Sequence, residues 1–167
     1  MSGPAGLPQR ALAVLERCRG AGLRLALAEA STGGLISSCL TEVPGASAVL
    51  ERGLVPYSNE AKEQLLGVPT SLFVAHGAVS AEVARAMAQG LLARAPVDLA
   101  LAETGIAGPG GGTPAKPVGL VFLALARRGA PEVVLERHVF PGDRGAVRQG
   151  AALRGLELIL EQLDSPR

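Results

Sequence analysis

Aromatic side chains make up only 2% of the 167 residues, namely Tyr57, Phe73, Phe122 and Phe140. That is too few for the stacking platforms that grip single-stranded nucleic acid. Lysine is equally scarce: apart from Lys62 and Lys116, every cation is an arginine, a bias of base composition more than a binding device. Sixteen basic residues face fifteen acidic ones, for a net charge of +1, so the basic excess of a general nucleic-acid binder is missing. There is no CxxC, and His76 and His138 stand alone, which leaves no zinc pattern. The two cysteines, Cys18 and Cys39, fall in apolar, helix-like stretches and read as reduced thiols in preference to a disulfide. The N-terminus has no basic segment followed by an apolar run, so no signal peptide is expected. No stretch reaches the roughly 18 apolar residues of a membrane span. The expectation is a soluble, cytoplasmic protein without membrane contact.

What is present is apolar bulk. Hydrophobic residues are 48% and charged residues 19%, which excludes intrinsic disorder. The core must be built from Ala, Leu and Val. The length suits a single domain over residues 1–167, with 1–7 a loose end, able to bury roughly two-thirds of its unfolded surface. Helical spacing marks Pro8–Gly20 through Leu12, Val14, Leu15 and Cys18. A buried strand follows over Leu23–Glu29, then a helix containing Leu35, Ile36, Cys39 and Leu40 that ends at Pro44-Gly45. A strand is expected over Ala48–Tyr57, and Ser58-Asn59 offers N-cap chemistry for a short helix stopping at Gly67. Ser80 caps a longer helix bearing Val83, Met87 and Leu91; Val97–Ala102, Val118–Ala126 and Val133–Phe140 read as strands; Asp143 opens a last helix facing inward with Ala152, Leu156, Ile159 and Leu163. Strands alternating with helices imply an α/β layer structure.

Three loops carry candidate chemistry, because α/β sheets collect ligands at strand carboxyl ends. Glu29-Ala30-Ser31-Thr32-Gly33-Gly34 joins a strand to a helix with two hydroxyls and two glycines. It suits an anion held on helix-start amides, and equally an ordinary N-cap. Thr104-Gly105-Ile106-Ala107-Gly108-Pro109 and the three glycines after it match neither a Walker A loop nor a dinucleotide fingerprint. The segment is either a functional loop or a flexible surface one. Arg144 and Arg148, one turn apart after Pro141-Gly142-Asp143, suit a phosphate or form a solvated pair. With Asn59 as N-cap, Lys62 falls in the first helical turn, where the positive helix end lowers its pKa toward that of a general base; the alternative is a plain surface lysine.

Taken together these segments resemble the C-terminal domain of the CinA (competence- and damage-inducible protein) family, from about Leu12 to Leu163. The carrying stretches are Ala28–Gly34, Leu40–Ala46, Tyr57-Ser58-Asn59-Glu60-Ala61-Lys62, His76-Gly77-Ala78-Val79-Ser80, Thr104–Gly112, Lys116-Pro117-Val118-Gly119 and Gly142-Asp143-Arg144 through Arg148. The likeness is to the stand-alone nicotinamide-nucleotide amidases in particular. It implies a three-layer α/β/α sandwich with a mixed sheet, a homo-oligomer, and no metal or organic cofactor. The implied reaction hydrolyses the carboxamide of nicotinamide mononucleotide to nicotinic acid mononucleotide and ammonia, without the separate N-terminal domain of longer members.

Amide hydrolysis needs a nucleophilic hydroxyl, a base and oxyanion donors. The family pattern Glu-Ser-Cys-Thr-Gly-Gly appears here as Glu29-Ala30-Ser31-Thr32-Gly33-Gly34, so the residue after the glutamate has no nucleophilic atom. The catalytic set expected is Ser31 as nucleophile, turned toward Lys62 as base, with Tyr57 assisting. Thr32, Gly33, Gly34, Thr104, Gly105, Gly108 and Arg144 are the expected substrate-binding residues: oxyanion donors at Gly33-Gly34, phosphate at Arg144 and the glycine loop. Thr32, Gly33, Thr104, Gly108 and Arg144 are expected to line one pocket. The partner expected is a small nucleotide, with no direct nucleic acid. The competing reading, motivated by Ala30, is a catalytically silent nucleotide-binding or regulatory subunit. A DNA-repair or competence accessory role, suggested by the family name, is disfavoured by the neutral charge and scarce aromatics.

Overall fold

A computed structural model of the chain describes residues 6–165. Five strands form one sheet: β1 (Leu25–Glu29), β2 (Leu50–Leu54), β3 (Leu99–Gly105), β4 (Leu120–Arg127) and β5 (Val134–Val139), in the order β2-β1-β3-β4-β5. Strand β1 runs parallel to its neighbours β2 and β3, while β4 runs antiparallel to its neighbours β3 and β5. The helices are α1 (Leu7–Ala21), α2 (Leu35–Thr41), α3 (Asn59–Leu66), α4 (Thr70–His76), α5 (Ala81–Arg94) and α6 (Arg144–Asp164).

The strands carry an alternation of large and small residues that decides the two faces. Leu25, Leu27, Leu99, Leu101, Leu123 and Leu125 point to one side and pack with α1, α2 and α6. Ala26, Ala28, Ala100, Ala102, Ala124 and Ala126 point to the other and meet α3, α4 and α5. A period of two on strands buried on both faces gives the three-layer α/β/α sandwich with a mixed sheet that the family resemblance implies. Each fully buried leucine contributes about 1.5–3 kcal/mol of transfer free energy. The alanine face contributes less, and gains close approach: α5 presses onto α3 so tightly that a Cβ on Gly90 would lie 1.8 Å from the Leu66 carbonyl oxygen.

Strands β1, β3 and β4 each start two residues later than expected, and β3 runs past Ala102 through Glu103, Thr104 and Gly105, which pair with β4; four further differences have local causes. Helix α1 begins at Leu7 behind Gly6, so Gly6 and Leu7 are not part of a loose end; residues 1–5 lie outside the described residues. Strand β2 is shorter than Ala48–Tyr57, because Ala46–Ala48 forms a 3-10 turn and Pro56 has no N–H to continue a ladder. Ser58, not Asn59, caps α3, accepting from Ala61 N at 3.0 Å. Helix α4 was not expected at all; it follows Pro69 and sets Leu72 and Phe73 against the α5 core.

Candidate active site

Strand β1 ends in Glu29, β3 carries Glu103 two residues before its end at Gly105, and the parallel register pairs the two glutamates. Both carboxylates are buried. Glu29 caps α2: its Oε1 accepts from Ile36 N at 2.7 Å, and its Oε2 from Ser37 N at 3.0 Å and Ser37 Oγ at 2.7 Å. An anion there complements the positive helix end. Gly33 and Gly34, at φ +60° and +97°, make the left-handed turn between strand and helix that side chains disfavour.

That turn presents two hydroxyls to the second glutamate. Ser31 Oγ donates to Glu103 Oε1, while Thr32 N donates to Oε2 at 3.0 Å. Thr32 Oγ1 lies 2.9 Å from Glu29 Oε1 and 3.0 Å from Glu103 Oε2, and its single proton serves one of them at a time. Burial pushes the Glu103 carboxyl above the ordinary carboxylate range; the bonds from Ser31 and Thr32 oppose this, and the neighbouring Glu29 charge adds to it. The turn is held from outside by Arg148, whose Nε donates to Ser31 O at 3.1 Å and whose Nη2 donates to Thr32 O at 2.9 Å.

Ser31 opens into a cleft of about 290 Å³ whose walls include Ala30, Tyr57, Asn59, Lys62, Ala78, Val79, Thr104, Gly105, Gly108 and Arg144. Lys62 is only 3% exposed. Its Nζ donates to the Tyr57 carbonyl at 3.1 Å, and burial lowers its pKa, the Glu103 charge opposing. The cause is thus mainly desolvation, where the sequence reading invoked the helix end. Arg144 Nη1 donates to Gly108 O at 2.8 Å and Nη2 to Tyr57 Oη at 3.3 Å, bridging the glycine loop to the tyrosine. Thr104 Oγ1 donates to Ala78 O at 2.9 Å. A Cβ on Gly105 would lie 2.9 Å from Ser31 Oγ and 2.7 Å from Val121 Cγ2, so glycine leaves room for the serine hydroxyl.

Of the residues expected from sequence, Ser31, Tyr57, Lys62, Thr104, Gly105, Gly108 and Arg144 share this cleft, although they come from four separate segments. Thr32, Gly33 and Gly34 are not among its walls. Thr32 is fully buried, with its amide and hydroxyl committed to carboxylates, and the two glycines shape the turn behind it. Arg148 binds backbone carbonyls of that turn, not the cleft. The hydroxyl of Ser31 is turned to Glu103, not to Lys62. Sequence reasoning missed Glu103; its signal was a carboxylate directly after a Leu-Ala-Leu-Ala run, repeated at Glu29 and Glu103. A larger groove of about 540 Å³ between α1 and α6 is lined by paired surface charges such as Arg10 and Glu157, 3.4 Å apart. It offers no comparable convergence. No helix among the described residues is long and apolar enough to cross a membrane.

Comparison with known proteins agrees with this architecture. Residues 8–163 match the model of the CinA C-terminal domain. A CinA-like protein of Geobacter sulfurreducens is 54% identical over 151 residues, covering 90% of this chain and 36% of the relative. One from Anaeromyxobacter dehalogenans is 51% identical over 146 residues, covering 87% of this chain and 35% of the relative. The chain therefore spans about a third of the length of these curated relatives. Among solved structures, the competence/damage-inducible protein CihA of Agrobacterium tumefaciens superposes with a TM-score of 0.92 at 41% identity, covering 99% of this chain and all of that one. The competence damage-inducible protein A of Klebsiella pneumoniae gives 0.93 at 32% identity, with 98% and 100% covered. With its sandwich, its cleft and nearly its whole length matched, the chain belongs to the CinA C-terminal domain family.

Proposed function

We propose that the cleft hydrolyses the carboxamide of a phosphorylated pyridine nucleotide, nicotinamide mononucleotide being the substrate class that the family resemblance suggests. The observation supporting it is the convergence of a serine hydroxyl on a buried carboxylate, a desolvated lysine and an arginine beside a glycine loop, all on one cavity. Ser31 Oγ attacks the amide carbon. Lys62, held by the Tyr57 carbonyl, exchanges protons with the reacting groups. Its lowered pKa brings its neutral and charged forms closer in energy near neutral pH, which suits that task. Arg144 uses some of its N–H groups on Gly108 and Tyr57 and keeps others for the phosphate, whose charge-assisted hydrogen bonds fix the nucleotide. Thr104 and Ala78 shape the adjoining wall.

The second reading is a silent nucleotide-binding domain, and Ala30 favours it: its methyl group stands in the cleft at the place where the family pattern has a serine. Incubating the protein with nicotinamide mononucleotide and measuring ammonia and nicotinic acid mononucleotide separates the two. Turnover supports the amidase; nucleotide binding without ammonia supports the silent domain.

A further inference from the structure

Residues leaving a strand alternate sides, and at the end of β1 this alternation separates two candidate bases. Ala30 belongs to the apolar cluster on the α3–α5 side, the side on which α3 carries Lys62. The next residue, Ser31, gives its hydroxyl to Glu103, which lies on the opposite side with Glu29. Lys62 meanwhile makes its hydrogen bond to the Tyr57 carbonyl. Glu103 is built as a base: Thr32 N fixes its Oε2, the register with Glu29 fixes its strand position, and its Oε1 is turned to Ser31. A nucleophile bonded to a base that a third group orients is the recurring arrangement of covalent catalysis. Gly105 leaves room for the pair.

Resting on the amidase reading, we infer that Glu103 is a catalytic residue of this chain, the group that takes the Ser31 proton, with Lys62 serving the substrate side of the cleft. In the first half-reaction the Ser31 hydroxyl proton passes to Glu103 Oε1 while Oγ bonds to the amide carbon and the carbonyl electron pair moves to oxygen. Collapse restores the carbonyl, breaks the C–N bond, and the departing nitrogen takes the proton from Glu103 and leaves as ammonia. Water then gives one proton to Glu103 and its hydroxide to the acyl carbon. The C–Oγ bond breaks, and Oγ recovers the proton, freeing the carboxylic acid. Burial supports this role by raising the basicity of Glu103 toward working pH.

The test compares wild type with Glu103→Gln, close in shape to glutamate but uncharged, in two assays. One is kcat and KM against pH for nicotinamide mononucleotide. The other is the rate at which a serine-directed fluorophosphonate labels Ser31. The Gln variant is expected to lose about 100-fold or more in kcat at little changed KM, to lose the acid limb of the pH profile, and to label at a correspondingly reduced rate. A Gln variant with unchanged rates and pH profiles in both assays overturns the assignment while leaving the amidase reading intact. Wild-type labelling that depends on Glu103, without amide hydrolysis, upholds the assignment and removes the substrate. Wild-type Ser31 that neither labels faster than an ordinary serine nor turns over overturns both. Should the Gln variant lose its circular-dichroism signal, Glu103→Asp decides, because a full rate with an unshifted profile there would also overturn it.

Discussion

Lys62 shows what the site demands of single residues. Burial lowers its pKa in the folded chain, so the charged form costs stability on folding. The sign follows: the contribution of a group with a depressed pKa is present above its unfolded value and is lost as pH falls through the folded one. Near neutral pH the lysine is therefore a burden, and Lys62→Met is expected to raise Tm by about 2–4 °C while abolishing turnover. Thermal melts at pH 7 and pH 10 check it, the gain shrinking at the higher pH. Arg144 is expected to behave oppositely. Arg144→Ala should weaken nucleotide affinity by about 1.5–3 kcal/mol and leave nucleoside affinity unchanged, read by calorimetry with both ligands. Gly105→Ala would force a methyl group against Ser31 Oγ and Val121; kcat is expected to fall by more than KM rises.

At the scale of elements, the alternating Leu and Ala of β1, β3 and β4 made the strands legible, because a sheet covered on both faces needs apolar residues at every position and a size difference only where the two layers differ in distance. The same logic makes Gly90 indispensable: Gly90→Ala is expected to cost about 3 kcal/mol or more in chemical denaturation, since the obstacle is the Leu66 backbone and not a movable side chain. Helix α4 was illegible for a related reason. It has seven residues and none fully buried, so it lacks the apolar periodicity that identifies longer helices. The edge strand β5 is tied to α6 by Arg154, whose guanidinium donates to Glu136 at 2.7 and 2.8 Å and also meets Glu161. The Arg154 hydrogen bond, with His138 adding to it, holds Glu136 down to about 2. That contribution is present above the ordinary carboxylate value and lost as pH falls toward 2. Arg154→Met is expected to cost about 1–2 kcal/mol at pH 7, less as pH falls from 4.5 to 2, by urea denaturation across that range.

At the scale of the molecule, the site is a product of topology. Ser31 and Glu103 are 72 residues apart and meet only because β1 and β3 are adjacent parallel strands in a register that sets the end of β1, Glu29, beside Glu103. The gathering of the loops after those strands was legible, since strand carboxyl ends converge in α/β sheets. Which hydroxyl faces which base was not, because that depends on the sense of alternation at one strand–helix turn. Thr32, Gly33 and Gly34 were misplaced for the same reason: a hydroxyl next to two glycines reads alike whether it lines a cavity or braces the turn behind it. The central claim, that Ser31 is the nucleophile of an amidase, is tested most directly by ammonia release from nicotinamide mononucleotide by wild type and Ser31→Ala, with Ala30→Ser measured alongside. The account predicts wild-type turnover and a loss of about 1,000-fold or more in Ser31→Ala. Full activity in Ser31→Ala, or activity that appears only in Ala30→Ser, would contradict it.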